Sequence, residues 1–182
     1  MITMTTTRIR RLAGSAIAVT SALLVVVPGQ AAAANPHALQ TTFDSPLAGA
    51  APGGTGTVQL QVKNVGSQAT QGVLINIALP PHVTLPVLAA DKHCQHKADP
   101  NVPGGSLISC NMSDKNDPRA QVSSGHTNTD DAEFTVDKQG VAPFAHLGTL
   151  VVVTVPLVNG KSTEDWRDET GPNTARTEIF SL

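Results

Sequence analysis

Residues 55–64 read TGTVQLQVKN, a run in which apolar and polar side chains alternate one by one. Val58, Leu60 and Val62 fall on one face of an extended chain, and polar residues occupy the other face. Alternation with a period of two is typical of a β-strand that buries one face against a core. The run therefore predicts a half-buried strand.

The residues that follow have the composition of a tight turn. Residues 64–68 read NVGSQ, in which Gly66 tolerates a positive φ and Asn64 and Ser67 can bond their own backbone. Asn159-Gly160 is a second strong turn signal further along the chain. Turns of this kind predict strands that reverse direction.

Further apolar runs bounded by turn residues occur at 73–79, 83–88, 106–112 and 148–158. The last of these contains a near-continuous block of valines, which is typical of a central strand covered on both faces. Residues 83–88 are expected to be extended, with Pro86 marking an edge strand or connector. Short strands separated by turns, with no helix of more than a turn or two, predict an all-β fold, namely an immunoglobulin-like antiparallel β-sandwich.

Residues 1–34 have the three parts of a secretory signal peptide. Three arginines lie between residues 8 and 11, an apolar stretch follows at 12–27, and residues 31–34 are all alanine. We therefore expect cleavage after Ala34, with an N-terminal membrane anchor as the alternative interpretation. No later stretch of the sequence is apolar for long enough to span a bilayer, so no transmembrane segment is expected after cleavage.

After cleavage, the remaining residues are expected to form two parts. Residues 35–54, rich in Ala, Pro and Gly, are expected to be a flexible N-terminal segment with at most one short strand. Residues 55–182 are expected to form the sandwich, with a long polar loop at 113–133. The signal peptide holds three of the 12 Lys and Arg and none of the 14 Asp and Glu, so the remainder has a net charge of −5 (9 minus 14). That charge, with 3% aromatic residues, argues against nucleic-acid binding.

Cys94 and Cys110 are the two cysteines of the chain. In an exported protein such a pair normally forms a disulfide, and closing a loop of about 15 residues would stabilise the fold by about 3 kcal/mol. A metal site is the alternative, because Asp91, His93 and His96 lie beside Cys94 and these residue types bind zinc or copper.

Other polar groups suggest chemistry less directly. Trp166 lies among carboxylates, including Asp165 and Asp168, so the ring could stack on a sugar and paired acids could cleave one. A solvated acidic loop with one packed ring is the competing interpretation. Two further groups of residues could bind calcium, namely Asp114, Asn116 and Asp117, and then Asp130, Asp131 and Glu133.

Nothing in the sequence has the pattern of a nucleophilic active site. No Gly-x-Ser-x-Gly motif occurs after residue 34, and Ser124-Gly125-His126 is adjacent in sequence without being a triad. We therefore expect no enzyme and no cofactor, with calcium or another metal left open.

The order of these features resembles the DUF11 family, an immunoglobulin-like module of bacterial secreted and surface proteins. The resemblance is carried by the strand and Asn-x-Gly turn of 57–66, the strand and Pro-Pro step of 69–85, the two cysteines, and the strand at 172–177. His82 stands where the family has glycine, and 113–140 is longer than the family's connection. The resemblance implies the fold, an extracellular setting and no catalysis.

The expected function is a non-enzymatic, secreted or cell-envelope-associated β-sandwich that serves as a binding or structural module. Its partner would be an extracellular protein or a cell-wall polymer. An extracellular metal-binding protein using His93 and His96 or the acidic loops is the alternative, followed by a secreted hydrolase.

Overall fold

The protein folds as two facing β-sheets around an apolar core. The computed structural model describes residues 35–113, 121–162 and 171–182. The predicted signal peptide, and its alternative as an anchor, therefore concern residues outside these ranges. Within the described residues the predicted all-β, immunoglobulin-like sandwich is confirmed.

The strands of the described residues are β1 (Leu39–Phe43), β2 (Leu47–Ala50), β3 (Thr55–Asn64), β4 (Gly72–Leu79), β5 (Val83–Thr84), β6 (Cys94–Ala98), β7 (Ser106–Met112), β8 (Thr127–Val136), β9 (His146–Val158), β10 (Lys161–Ser162) and β11 (Thr174–Ser181). A four-residue helix, α1 (Pro86–Ala89), lies between β5 and β6. The smaller sheet has the order β1-β3-β8-β5, and the larger has the order β2-β11-β9-β4-β7-β6, with β10 beside β9.

Strand β3 is the alternating run of the sequence, and it buries the predicted face. Val58 and Val62 are buried, and Leu60 packs against the same core. Gly56 of β3 lies opposite the fully buried Phe134 of β8. A Cβ atom at Gly56 would lie 2.4 Å from the Phe134 ring, so this glycine makes room for the largest side chain of the core.

Strand β9 is the centre of the larger sheet, between β11 and β4, as its valine block predicts. Leu150 and Val152 belong to the core between the sheets. Their neighbours Val151, Val153 and Val155 form a separate apolar cluster with Leu74 and Ala78 of β4. Successive side chains of a strand point to opposite faces, so β9 is apolar on both.

Asn64 ends β3 and organises the turn after it. Its side chain is fully buried, and Nδ2 donates to the carbonyl oxygens of Gln68 and Val122 at 2.7 and 2.8 Å. Oδ1 accepts a hydrogen bond from the Gly66 N–H at 2.9 Å. The expected bonding of Asn64 to its own turn is therefore present, and it extends to the segment that leads into β8.

Gly66 has a different role from the one predicted. Its φ is not among the positive values of the described glycines, so its tolerance of a left-handed conformation is not used. A Cβ atom at Gly66 would instead lie 2.2 Å from the carbonyl oxygen of Pro36. Close approach of two backbone segments, rather than a positive φ, requires glycine here.

The prediction that residues 35–54 form a flexible segment with at most one short strand is wrong. Both β1 and β2 lie in this segment, and they belong to different sheets. β2 pairs with β11 in parallel, so the larger sheet is not purely antiparallel. Leu39 and Ala50 are buried, and this burial fixes a segment whose composition suggested a linker.

Two other boundaries differ from the prediction. The polar loop expected at 113–133 ends earlier, because β8 begins at Thr127 and pairs with β3 from there on. The polar residues at the start of β8 are held in the strand by backbone pairing with β3 rather than by burial. Residues 83–88 are extended only at β5, since Pro86 begins helix α1, where its fixed φ fits the first turn.

Candidate functional site: an apolar groove beneath strand β8

Two cavities meet under the N-terminal half of β8, and we call them together the β8 groove. One has a volume of about 180 Å³ and the other of about 360 Å³. Leu60, Ile75 and Asp130 line both cavities, which makes the two spaces adjacent. The smaller cavity lies between the sheets and reaches α1, and its apolar lining includes Val58, Leu85, Leu88, Met112 and Ala132.

Asp130 lies on the inner face of the smaller sheet. In the antiparallel register Asp130 is opposite Leu60, and Ala132 is opposite Val58. Directly opposite residues of paired strands share a face, and Val58 and Leu60 both pack into the core. The Asp130 carboxylate therefore faces the groove from the smaller sheet, although the residue is exposed to solvent.

The neighbouring carboxylate points the other way. Asp131 follows Asp130 on the strand, so its side chain lies on the outer face, where Gln59 Nε2 donates to Asp131 Oδ1 at 2.9 Å. The group of Asp130, Asp131 and Glu133, expected to bind calcium, is thus divided between two faces of β8.

The groove opens along an unpaired strand edge. β5 pairs with β8 only at Thr135 and Val136, and no described strand pairs with that edge of β8 between Thr127 and Phe134. Val87 of α1, 68% exposed, stands at the mouth. Of the described residues that line either cavity, none is Lys, Arg or His. Asp130 makes no hydrogen bond or ion pair to any other described side chain, so its charge is uncompensated at the groove.

The predicted disulfide is confirmed. Cys94 of β6 and Cys110 of β7 are register partners and are bonded to each other. Cys110 is fully buried and lines the smaller cavity, so the cystine forms part of the groove wall. A cystine has no thiolate to offer a metal ion.

The other residues of the predicted metal site are used in local contacts. Asp91 Oδ1 accepts a hydrogen bond from the His93 backbone N–H at 2.9 Å, and His96 Nε2 lies 3.1 Å from the Leu88 carbonyl oxygen. Throughout the described ranges, no three His, Cys, Asp or Glu residues are grouped so that they could hold a metal ion. The structure therefore does not bring Asp91, His93 and His96 together as a ligand set.

Several predicted residues lie outside the described residues. They are Trp166, Asp165 and Asp168, proposed for ligand contact, and Asp114, Asn116 and Asp117, proposed for calcium. These assignments stay predictions.

A cluster of His146, Thr149 and Glu178 has the residue types of a catalytic triad but not its arrangement. Glu178 bonds to both partners, with Oε2 2.7 Å from His146 Nε2 and Oε1 accepting from Thr149 Oγ1 at 2.9 Å. The bond from His146, followed by that from Thr149, holds the pKa of Glu178 below its usual value. A triad needs the histidine between the hydroxyl and the acid. Here the carboxylate lies between them, so the cluster is an exposed polar contact between β9 and β11.

Sequence analysis missed the groove because it treated the acids of β8 as loop residues. The alternation of Asp130, Ala132, Phe134 and Val136 contains the signal, since every second residue of a strand shares a face. That pattern places one carboxylate in line with three core residues.

In the described parts of the chain, no helix is both long enough and apolar enough to cross a membrane.

No protein-family model matches the chain, and no curated protein matches it. Among solved structures it is similar to AvmM, which catalyses macrocyclization in alchivemycin A biosynthesis, at 14% identity and a TM-score of 0.44, covering 81% of this chain and 89% of that one. It is similar to a CARDB domain from Pyrococcus furiosus in complex with di-metal ions, at 9% identity and a TM-score of 0.43, covering 80% and 89%. It is similar to the third cohesin of ScaC, in complex with the ScaB dockerin, from Acetivibrio cellulolyticus, at 12% identity and a TM-score of 0.41, covering 80% and 99%. Similarities at this level carry no conclusion about function.

Proposed function

We propose that the chain is an exported, non-enzymatic binding module, a DUF11-like sandwich that acts in the cell envelope or outside the cell. Its partner is an extracellular protein or a cell-wall polymer. The observation that carries the proposal is the β8 groove, a ligand-sized apolar space that opens at the surface beside an unpaired strand edge. Pockets with apolar walls and few polar groups are the usual form of a binding site.

Two observations support export, and a third supports the DUF11-like character. Cys94 and Cys110 are oxidised to a disulfide, as is expected in a secreted protein, and the first 34 residues have the pattern of a signal peptide. His82, at the position of the family's glycine, has a φ of 65°, a left-handed conformation that glycine adopts without strain. The backbone conformation at His82 is thus one that would favour glycine, the residue that the DUF11 family has at this position.

The described side chains favour binding over catalysis. The nearest approach to a reactive set, His146, Thr149 and Glu178, has the wrong order of contacts, and none of its three residues lines the groove. Asp130, Asp131 and Glu133 all line the groove, but only Asp130 lies on the inner face of β8, and no described lining residue is a histidine, a lysine or a free cysteine. A single carboxylate can orient a ligand but lacks a partner for acid–base or nucleophilic chemistry.

The binding proposal is tested with residues 35–182 and the native cell envelope. Co-sedimentation with purified cell walls and crosslinking to envelope proteins would be compared for the wild type and Ala132→Leu. Ala132 lies on the inner face, so leucine fills the smaller cavity. We expect saturable binding that the variant weakens. Equal retention of the two proteins, or turnover of a substrate in a hydrolase panel, would contradict the proposal.

Export is tested separately by expressing the whole chain in a bacterial host. N-terminal sequencing of the protein in the medium is expected to start at Asn35, and a thiol assay is expected to find no free cysteine. Retention in the cytoplasm with both thiols reduced would contradict this part of the proposal.

A further inference from the structure

We propose that the β8 groove binds an amphiphilic organic cation, whose hydrocarbon body lies between the sheets and whose ammonium group meets Asp130. This inference rests on the proposed binding function and names the chemistry of the group on the partner that enters the groove. It is carried by the size of the groove, its apolar lining and the placement of one unpaired carboxylate.

The size of the groove sets the shape of the apolar body. The smaller cavity, at about 180 Å³, exceeds the engineered apolar cavity of about 150 Å³ that holds benzene. The second cavity adjoins it beneath the same strand and shares Leu60 and Ile75 with it. The second cavity has apolar walls at Val62, Val73 and Val122 and polar residues of β8 along its other side. Two adjoining spaces that share an apolar wall fit an elongated chain better than a single ring.

The charge of the groove sets the sign of the head group. Asp130 faces the groove, and the described lining residues supply no positive side chain to neutralise it. An anionic head group would meet this charge unfavourably, and a cation would be attracted. Because Asp130 is exposed, solvent reduces the attraction, and an exposed ion pair changes affinity by about fivefold at most.

An inward-facing charge on an unpaired strand edge can also serve to prevent aggregation. That role differs from ligand binding in what it predicts. If Asp130 only protects the edge of β8, its removal promotes aggregation and leaves the affinity for every ligand unchanged. A ligand series that varies charge alone separates the two roles.

The test uses residues 35–182 with the disulfide intact, and three probes of equal chain length, namely n-octylammonium, 1-octanol and octanoate. Calorimetric titration at neutral pH and low salt measures affinity, and amide NMR shifts locate the site. We expect affinity to fall in the order octylammonium, octanol, octanoate, with a difference of about fivefold between the first two. The amide shifts are expected at residues 127–133. In the Asp130→Asn variant, the affinity for octylammonium is expected to fall close to the affinity for octanol.

Asp131→Asn is the matched control, because it removes a carboxylate from the adjacent residue on the outer face. It is expected to leave the order of the probes unchanged, while Ala132→Leu weakens all three. Equal affinities for octylammonium and octanoate, or equal effects of the two Asp→Asn changes, would overturn the inference. So would the absence of binding by any probe, and in that case envelope binding sensitive to Ala132→Leu would still support the proposed function.

Discussion

At the scale of single residues, Asn64 links three parts of the chain. It ends β3, closes the following turn through Gly66 and Gln68, and reaches across to Val122. A fully buried amide that satisfies several backbone groups is costly to remove, because those groups then lie away from water without a partner.

We therefore predict that Asn64→Ala lowers the free energy of unfolding by about 2–3 kcal/mol. Urea denaturation of residues 35–182 measures this change. The control is Asn101→Ala, since Asn101 is exposed and the change is expected to cost about 0.5 kcal/mol or less. Similar losses in the two variants would show that the Asn64 contacts contribute little.

His82 adopts a φ of 65°, which costs an L-residue about 1–2 kcal/mol and costs glycine little. We predict that His82→Gly raises the free energy of unfolding by about 0.5–1 kcal/mol, since the lost contact with Asp137 at 3.3 Å is exposed and weak. Thermal and urea unfolding measure the gain.

His82→Ala is the matched control for this prediction. Alanine removes the same contact with Asp137 but keeps a Cβ atom, so it is expected to give no gain. If glycine and alanine have the same effect, backbone strain at this position is not what limits stability.

At the scale of elements, strand β6 depends on the disulfide more than on burial. It is an edge strand that pairs only with β7 among the described strands, and Gln95, His96 and Lys97 are all exposed. The Cys94–Cys110 bond ties it to the buried part of β7.

The variant with both Cys94→Ala and Cys110→Ala is predicted to lose about 3 kcal/mol of stability in the chain-entropy model. Amide hydrogen exchange is expected to accelerate first at β6, because an exposed edge strand opens locally before the core does. Alanine is chosen because Cys110 is fully buried and a polar replacement would add a second cost. Unchanged exchange at β6 would contradict this account.

The strands that sequence analysis predicted are those whose signal is contained in their own residues. β3 has strict alternation, and β9 has a valine block that is apolar on both faces. β2, β6 and α1 were missed because each is short and carries little signal of its own. β2 is fixed by its pairing with β11, and β6 by the disulfide to β7. α1 is a single turn that begins at Pro86. The walls of the β8 groove lie where two sheets meet and could not be predicted from one strand, whereas the inner-face position of Asp130 was available from the alternation within β8.

At the scale of the whole molecule, the N-terminal segment holds the two sheets together. β1 adds Leu39 and Thr41 to the buried residues, and β2, a few residues later, adds Ala50 on the other sheet. Thr41 Oγ1 also bonds to Thr154 Oγ1 of β9, across the sandwich.

We predict that residues 55–182 alone do not fold, whereas residues 35–182 do. Removing β1 and β2 exposes an edge of each sheet and the buried side chains beneath them, which favours aggregation. Circular dichroism, a urea transition and size-exclusion chromatography compare the two chains. A monomeric 55–182 with a cooperative transition of similar midpoint would contradict the prediction.

The parallel pairing of β2 with β11 also determines when this protein can finish folding. Leu47 is matched with Glu178 and Ala50 with Ser181, so a strand that is synthesised early pairs with one that is synthesised much later. A nascent chain, delivered N-terminus first, cannot form this edge of the larger sheet until β11 has emerged. Such long-range closure is intrinsically slow. Any machinery that threads the polypeptide through a narrow pore would therefore meet a larger sheet that still lacks this pairing until β11 has passed through.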